Sequence, residues 1–87
     1  MKSICIFGVF VADLCFVGSK IPIKGQTILG KKHIVGPGGK GSNQAIAAAR
    51  LNGDISFITK MGKDSHSEMA FDLYKEAGVK THSIIQD

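Results

Sequence analysis

Gly36-Pro37-Gly38-Gly39-Lys40-Gly41, followed by Ser42 and Asn43, places four glycines in six residues between a stretch of strand character and a stretch of helix character. Glycine takes positive φ at no steric cost and lets a ligand approach the backbone where a Cβ would otherwise stand. A helix that opens directly behind such a turn aims its unpaired N–H groups, and the positive end of its dipole, at whatever binds there. A simple helix cap needs one glycine at most, so the stretch reads as a ligand-binding loop.

On either side of it the chain alternates between strand and helix patterns. Residues 3 to 11 form a continuous, β-branched apolar run with the pattern of a strand covered on both faces, as in a parallel sheet. Gly8 interrupts that run and Asp13 ends it, so it is read as a strand and not as a signal peptide. Leu14 to Gly36 holds short apolar stretches at Cys15 to Val17, Thr27 to Leu29 and His33 to Val35, separated by Gly18, Pro22, Gly25 and Gly30. Two or three half-exposed strands joined by turns are expected there.

Beyond the glycines, Asn43 to Leu51 is alanine-rich and helical, with Asn52-Gly53 as its stop, and Asp54 to Lys60 reads as the next strand. Ser65-x-x-Glu68 has the form of a capping box. The helix it opens carries Met69, Leu73 and Ala77 on one stripe with Ala70 and Tyr74 beside it, and ends at Gly78. Thr81 to Ile85 is a last short strand. Strand, small antiparallel insert, helix, strand, helix, strand is the order of an α/β domain with a parallel sheet. With no helix after the last strand, the 87 residues are expected to be an incomplete domain.

Composition excludes several classes. The 44% hydrophobic fraction, six aromatics and absence of tryptophan fit a globular chain, and no apolar run approaches the roughly 20 residues a membrane helix needs. The formal charge of +4 comes from scattered lysines with a single arginine, Arg50, which is a poor nucleic-acid surface and suits a mild field for an anionic substrate. Cys5 and Cys15 have neither metal spacing nor the count of a disulfide framework, which favours a reducing cytoplasm, and both are expected as small core side chains. His33, His66 and His82 have no metal spacing either.

The loop matches G-x-G-x-x-G, the dinucleotide pattern. Against an NAD site stand the basic end of the following strand at Lys60, the N–H lost at Pro37, and the position of the glycines after the insert instead of after the first strand. A phosphate loop of the Walker type is excluded because Lys40 is followed by Gly41, not by serine or threonine. Asp13 follows the first strand near the carboxyl edge of the sheet, where it is either a turn residue or a carboxylate able to accept from two hydroxyl groups. Asn43, on the first turn of the helix, is either a cap or a donor and acceptor for hydroxyls.

Gly38-Gly39-Lys40-Gly41-Ser42-Asn43-Gln44-Ala45 resembles the N-terminal signature of the ribokinase or PfkB family of carbohydrate kinases. The likeness extends over nearly all 87 residues, through Gly8 to Asp13 and Gly62-Lys63-Asp64. It implies a ribokinase-like three-layer α/β fold across residues 1–87, with a β-strand lid at about residues 14–35 that closes over the sugar and forms a homodimer. It also implies that Asp13 and Asn43 bind sugar hydroxyls, that Gly38, Gly39 and Lys40 line the same pocket, and that ATP with Mg²⁺ donates the phosphate from sites outside this chain. Where ribokinases usually carry an asparagine this chain has Val11, an apolar side chain in place of one polar sugar contact. The family's catalytic Gly-Ala-Gly-Asp motif does not occur in the 87 residues, so the chain on its own is expected to phosphorylate nothing, and no residue here is assigned as catalytic. The alternatives are an NAD(P)-binding oxidoreductase fragment and a non-catalytic binding or dimerisation module.

Overall fold

The computed structural model describes residues 2–87 and contains two sheets and two helices. The first sheet is parallel and three-stranded, built from β1 (Ser3–Phe7), β4 (Asp54–Met61) and β5 (Ile84–Gln86) with β4 in the middle. The second is an antiparallel pair, β2 (Val11–Val17) with β3 (Lys32–Gly38). Helix α1 (Lys40–Arg50) connects β3 to β4, and α2 (Ser65–Ala77) connects β4 to β5. The α/β class and the small antiparallel insert are as expected from the alternating pattern, and the insert is the lid that the resemblance implies.

The parallel register sets which side chains share a face. Ile4 pairs with Ile55 and Ile6 with Phe57, while Thr59 pairs with Ile84. Because side chains alternate along a strand, Ile55, Phe57, Thr59 and Met61 all point the same way, and all four are buried. Against them lie the small faces of the two helices, Ala45 and Ala49 from α1 with Ala70 and Tyr74 from α2. The Phe57 and Tyr74 rings meet edge to face at 5.5 Å and 72°. That arrangement is worth about 0.5–1.5 kcal/mol beyond the area buried.

Several sequence expectations need correction. The run from 3 to 11 is not one strand: β1 ends at Phe7, and from Val11 the chain belongs to the other sheet. Gly8 is the exit, its N–H held by the Ile58 carbonyl at 3.1 Å while the chain swings away. Nor is β1 covered on both faces, since the helices lie on the Ile4 and Ile6 side and Phe7 is 84% exposed on the other. Cys5 shares that bare face and Cys15 lies in the lid, so both are exposed thiols and not core residues.

The lid is two-stranded and longer than residues 14–35, because both strands run on to Val11 and Gly38, while Thr27 to Leu29 forms no strand. It stands out from the core. The Cα radius of gyration of 15.7 Å exceeds the roughly 12 Å of a compact chain of this length.

Helix ends differ too. α1 begins at Lys40, not at Asn43, so Gly36 to Gly38 lie on a strand and the turn narrows to Gly39. It closes as expected, with Asn52 at φ 67°. At α2 the cap is Asp64, whose carboxylate accepts from the Ser67 N–H at 2.8 Å, so the Ser65 capping box does not form. Ala70 and Tyr74 are the centre of the buried stripe, and Met69, Leu73 and Ala77 its margin. The last strand is Ile84–Gln86, with only a single bridge from Lys80 to Ser56 before it.

Candidate functional site

The site is assembled where the lid meets the first turn of α1. Gly39 is the N-cap, at φ 95° and ψ 137°. A Cβ at this residue would run into the Val9 carbonyl oxygen, so both the conformation and the space demand glycine. The first N–H groups of a helix have no partner within it, and here no side chain caps them and no acid stands in the first turn. The turn therefore presents the N–H groups of Lys40 and Gly41 at the surface, while Ser42 is buried, in contrast to α2 and its Asp64 cap.

Asp13 reaches this place by the lid register. It pairs with Gly36, and Val11 pairs with Gly38, so Val11, Asp13, Gly36 and Gly38 share one face of the β2–β3 ribbon. The Asp13 carboxylate lies over Gly38, in the space that a Cβ at residue 38 would take. Gly38 is thus a glycine because of Asp13. Gly41 has a comparable reason, since a Cβ there would come within 2.9 Å of the Gly8 Cα. The two glycines let the start of α1 touch the end of β1 backbone to backbone.

Lys40 opens onto a cleft along this turn, walled by Phe7, Val9, Val11, Gly39 and Gln44. Asn43 lies one turn along and faces a neighbouring hollow with Pro37, Ile46 and Arg50. The structure thus brings Asp13 onto Gly38 and sets Gly39 and Lys40 on one cleft, while Asn43 lines a separate hollow. A larger depression under the lid connection, between Phe16, Lys20, Ile21 and Ile28, is walled mainly by apolar groups and lies away from the glycine turn.

Two features escaped the sequence reading. Ser42 and Tyr74, both wholly buried, share a hydrogen bond of 2.6 Å. Burial pushes the Tyr74 phenol above its ordinary pKa, and the Ser42 hydroxyl opposes this in part. No sequence signal links two residues 32 positions apart. Gly8 is the other: its contact with Gly41 was legible only as a break in a strand. Asp64 is held below the ordinary carboxylate range, first by the Ser67 N–H and then by the Ser67 hydroxyl. His33 stacks on Phe16 with ring centres 4.5 Å apart, and among the described residues no three His, Cys, Asp or Glu side chains converge on a metal position.

The sequence profile of the pfkB family carbohydrate kinases matches residues 1–87. The chain belongs to that family. This PfkB-family chain is 40% identical over 81 residues to the ribokinase of Bacillus subtilis, covering 93% of this chain and 28% of that protein. Among solved structures, the Arabidopsis thaliana ribokinase complexed with ribose and ATP superposes with a TM-score of 0.80 at 28% identity, covering 94% of this chain and 27% of that one. The fructokinase of Xylella fastidiosa with bound ATP also gives a TM-score of 0.80, at 30% identity over 99% of this chain and 26% of that one. The chain therefore spans about a quarter of the length of the relatives it matches. Its ribokinase-like fold agrees with the α/β order expected from sequence.

Proposed function

We propose that these residues form the acceptor-binding part of an ATP-dependent carbohydrate kinase, one that transfers phosphate to a primary hydroxyl of a sugar such as ribose. The observation that carries the reading is the Asp13 carboxylate lying over Gly38 beside the uncapped start of α1. A carboxylate accepts from two hydroxyls at once, and charge-assisted bonds of this kind are about twice as strong as neutral ones. The free N–H groups of the first turn are donors, so the junction offers a polyol both kinds of partner within one turn of chain. Lys40 adds a positive charge at the cleft, and Asn43 supplies an amide at its flank. Gly38 and Gly39 line the same place, the first leaving room for the Asp13 carboxylate and the second for the Val9 carbonyl.

The chemistry these residues provide is binding and orientation. Holding an acceptor hydroxyl in one direction is a large part of phosphoryl-transfer catalysis, which depends chiefly on position and electrostatics. In this reading Asp13, Gly38, Gly39, Lys40 and Asn43 touch the sugar. ATP is the donor, accompanied by Mg²⁺, at sites outside these residues. The 87 residues alone hold an acceptor without activating it, and form the N-terminal part of a single ribokinase-like domain.

The exposed apolar side chains of the lid, Leu14, Phe16, Ile21, Ile23 and Leu29, support pairing of two copies through it. Two free, exposed cysteines support a reducing cytoplasmic setting. Among the described residues no helix is long and apolar enough to cross a membrane.

The test is ATP-dependent phosphorylation of a sugar panel by the chain alone and by a form extended to the length of its relatives. The extended form is expected to make a sugar phosphate, to lose that activity with Asp13→Ala, and to have no use for NAD. Unchanged turnover by Asp13→Ala would remove that residue from the site.

A further inference from the structure

We propose that the Ser42–Tyr74 hydrogen bond is a positioning device for the acceptor site, fixing the first turn of α1 so that Lys40, Asn43 and the free N–H groups keep their direction. The inference rests on the acceptor-site reading above. It starts from a mechanical weakness of this helix. Its N-terminus has no side-chain cap and no acid in the first turn, and Gly39 and Gly41 there touch Val9 and Gly8 through backbone alone, with no side chain to lock them.

Further along, α1 meets the core through Ala45, Ala49 and Ile46, and α2 presents Ala70. Apolar burial of this kind is non-directional, so it holds the helices together without itself setting the direction of any one group. A hydrogen bond is directional where an alanine contact is not. Between the hydroxyls of Ser42 and Tyr74 stands one, 2.6 Å long and wholly buried at both ends.

Tyr74 is itself held. Its ring meets Phe57 edge to face, and Phe57 is fully buried on the central strand. The line from Phe57 through Tyr74 to Ser42 therefore connects the rigid middle of the sheet to the third residue of α1. That residue stands directly between Gly41 and Asn43. A serine at such a position commonly spends its hydroxyl on the helix's own backbone. Here the hydroxyl shares its bond with a residue on another helix instead.

Removing one hydroxyl leaves the other buried without a partner, whereas removing both leaves an apolar contact of nearly the same shape. This separates stability from positioning. The experiment uses the whole chain as wild type, Tyr74→Phe, Ser42→Ala and the double variant. Three quantities are read from each: thermal midpoint, amide hydrogen exchange at residues 43 to 45, the first bonded amides of α1, against residues 47 to 50, and affinity for D-ribose and D-fructose.

In all three variants the proposal expects faster exchange at residues 43 to 45 relative to 47 to 50, and a sugar affinity weaker by about fivefold, the equivalent of one ordinary hydrogen bond. The double variant should recover thermal stability relative to Tyr74→Phe without recovering the affinity. If affinity instead follows the thermal midpoint across the set, or if exchange at residues 43 to 45 is unchanged, the bond is only structural and the proposal is overturned. A wild-type chain that binds no sugar overturns the acceptor-site reading together with the purpose assigned to the bond. A wild type that binds sugar, with Tyr74→Phe binding it equally well, overturns this proposal alone.

Discussion

Replacing Gly38 with alanine tests the junction of lid and helix at a single atom. The added Cβ would lie 2.5 Å from Cγ of Asp13, where two carbon atoms need about 3.5–4.0 Å. About 1 Å or more must therefore be found. Gly38 is buried at the end of β3 and Asp13 is exposed, so the aspartate side chain is what moves. Turning it away from its preferred rotamer costs about 0.5–1.5 kcal/mol, which a folded chain can absorb. The effect on the ligand is larger, because each hydrogen bond lost from a charged group is worth about 1.5–3 kcal/mol, or roughly 10- to 100-fold in affinity. Calorimetric titration with D-ribose and D-fructose should thus show at least tenfold weaker binding by Gly38→Ala, with a small change in thermal midpoint. Because the mutation acts through Asp13, Gly38→Ala added to Asp13→Ala should weaken binding no further. Wild-type affinity in Gly38→Ala, or losses that add in the double variant, would refute the reasoning.

Gly41→Ala sets a Cβ against the Gly8 backbone, which has no side chain to yield, so it should destabilise by about 1–3 kcal/mol in chemical denaturation. Gly36→Ala meets nothing within 4 Å and should stay within about 0.5 kcal/mol of wild type in the same measurement. The Asp64 carboxyl is held below its ordinary range by the Ser67 N–H, so its cap stabilises above about pH 4 and fades as the pH falls below that. Thermal melts should accordingly show an acid-side loss that is smaller in Asp64→Asn. Phe16→Glu, on the exposed lid, should shift self-association toward monomer in sedimentation while leaving the far-ultraviolet circular dichroism unchanged.

Much of the fold was legible because its signals are local. The alanine-rich stretch after Lys40, the Gly78 stop and the isoleucine and phenylalanine of β4 each mark an element through propensity or period. What was misread depends on partners far along the chain. Residues 3 to 11 look like one strand, and only the Gly8 contact with Gly41 and the Ile58 carbonyl shows where the chain changes sheets. The Ser65 pattern resembles a capping box, yet Asp64, one residue earlier, takes the Ser67 N–H because a carboxylate is the stronger acceptor. Cys5 looks apolar enough for a core, but it is exposed, on the face of β1 turned away from α1 and α2.

The candidate site divides in the same way. The glycines and Asp13 were visible as residue types, but the reason Gly38 has no side chain was not. That reason is the carboxylate lying over it, set by pairing β2 with β3 across 23 residues of register from Asp13 to Gly36. Ser42 was noted as the opening of a helix, and nothing in its neighbourhood pointed to Tyr74.

Nuclear magnetic resonance titration of the isotopically labelled chain with D-ribose and D-fructose, and separately with NAD, tests the central claim most directly. The account predicts saturable shifts from at least one of the sugars, concentrated at the amides of Asp13, Gly38, Gly39, Lys40 and Asn43 and lost in Asp13→Ala. Saturable shifts from NAD with no response to either sugar would contradict it.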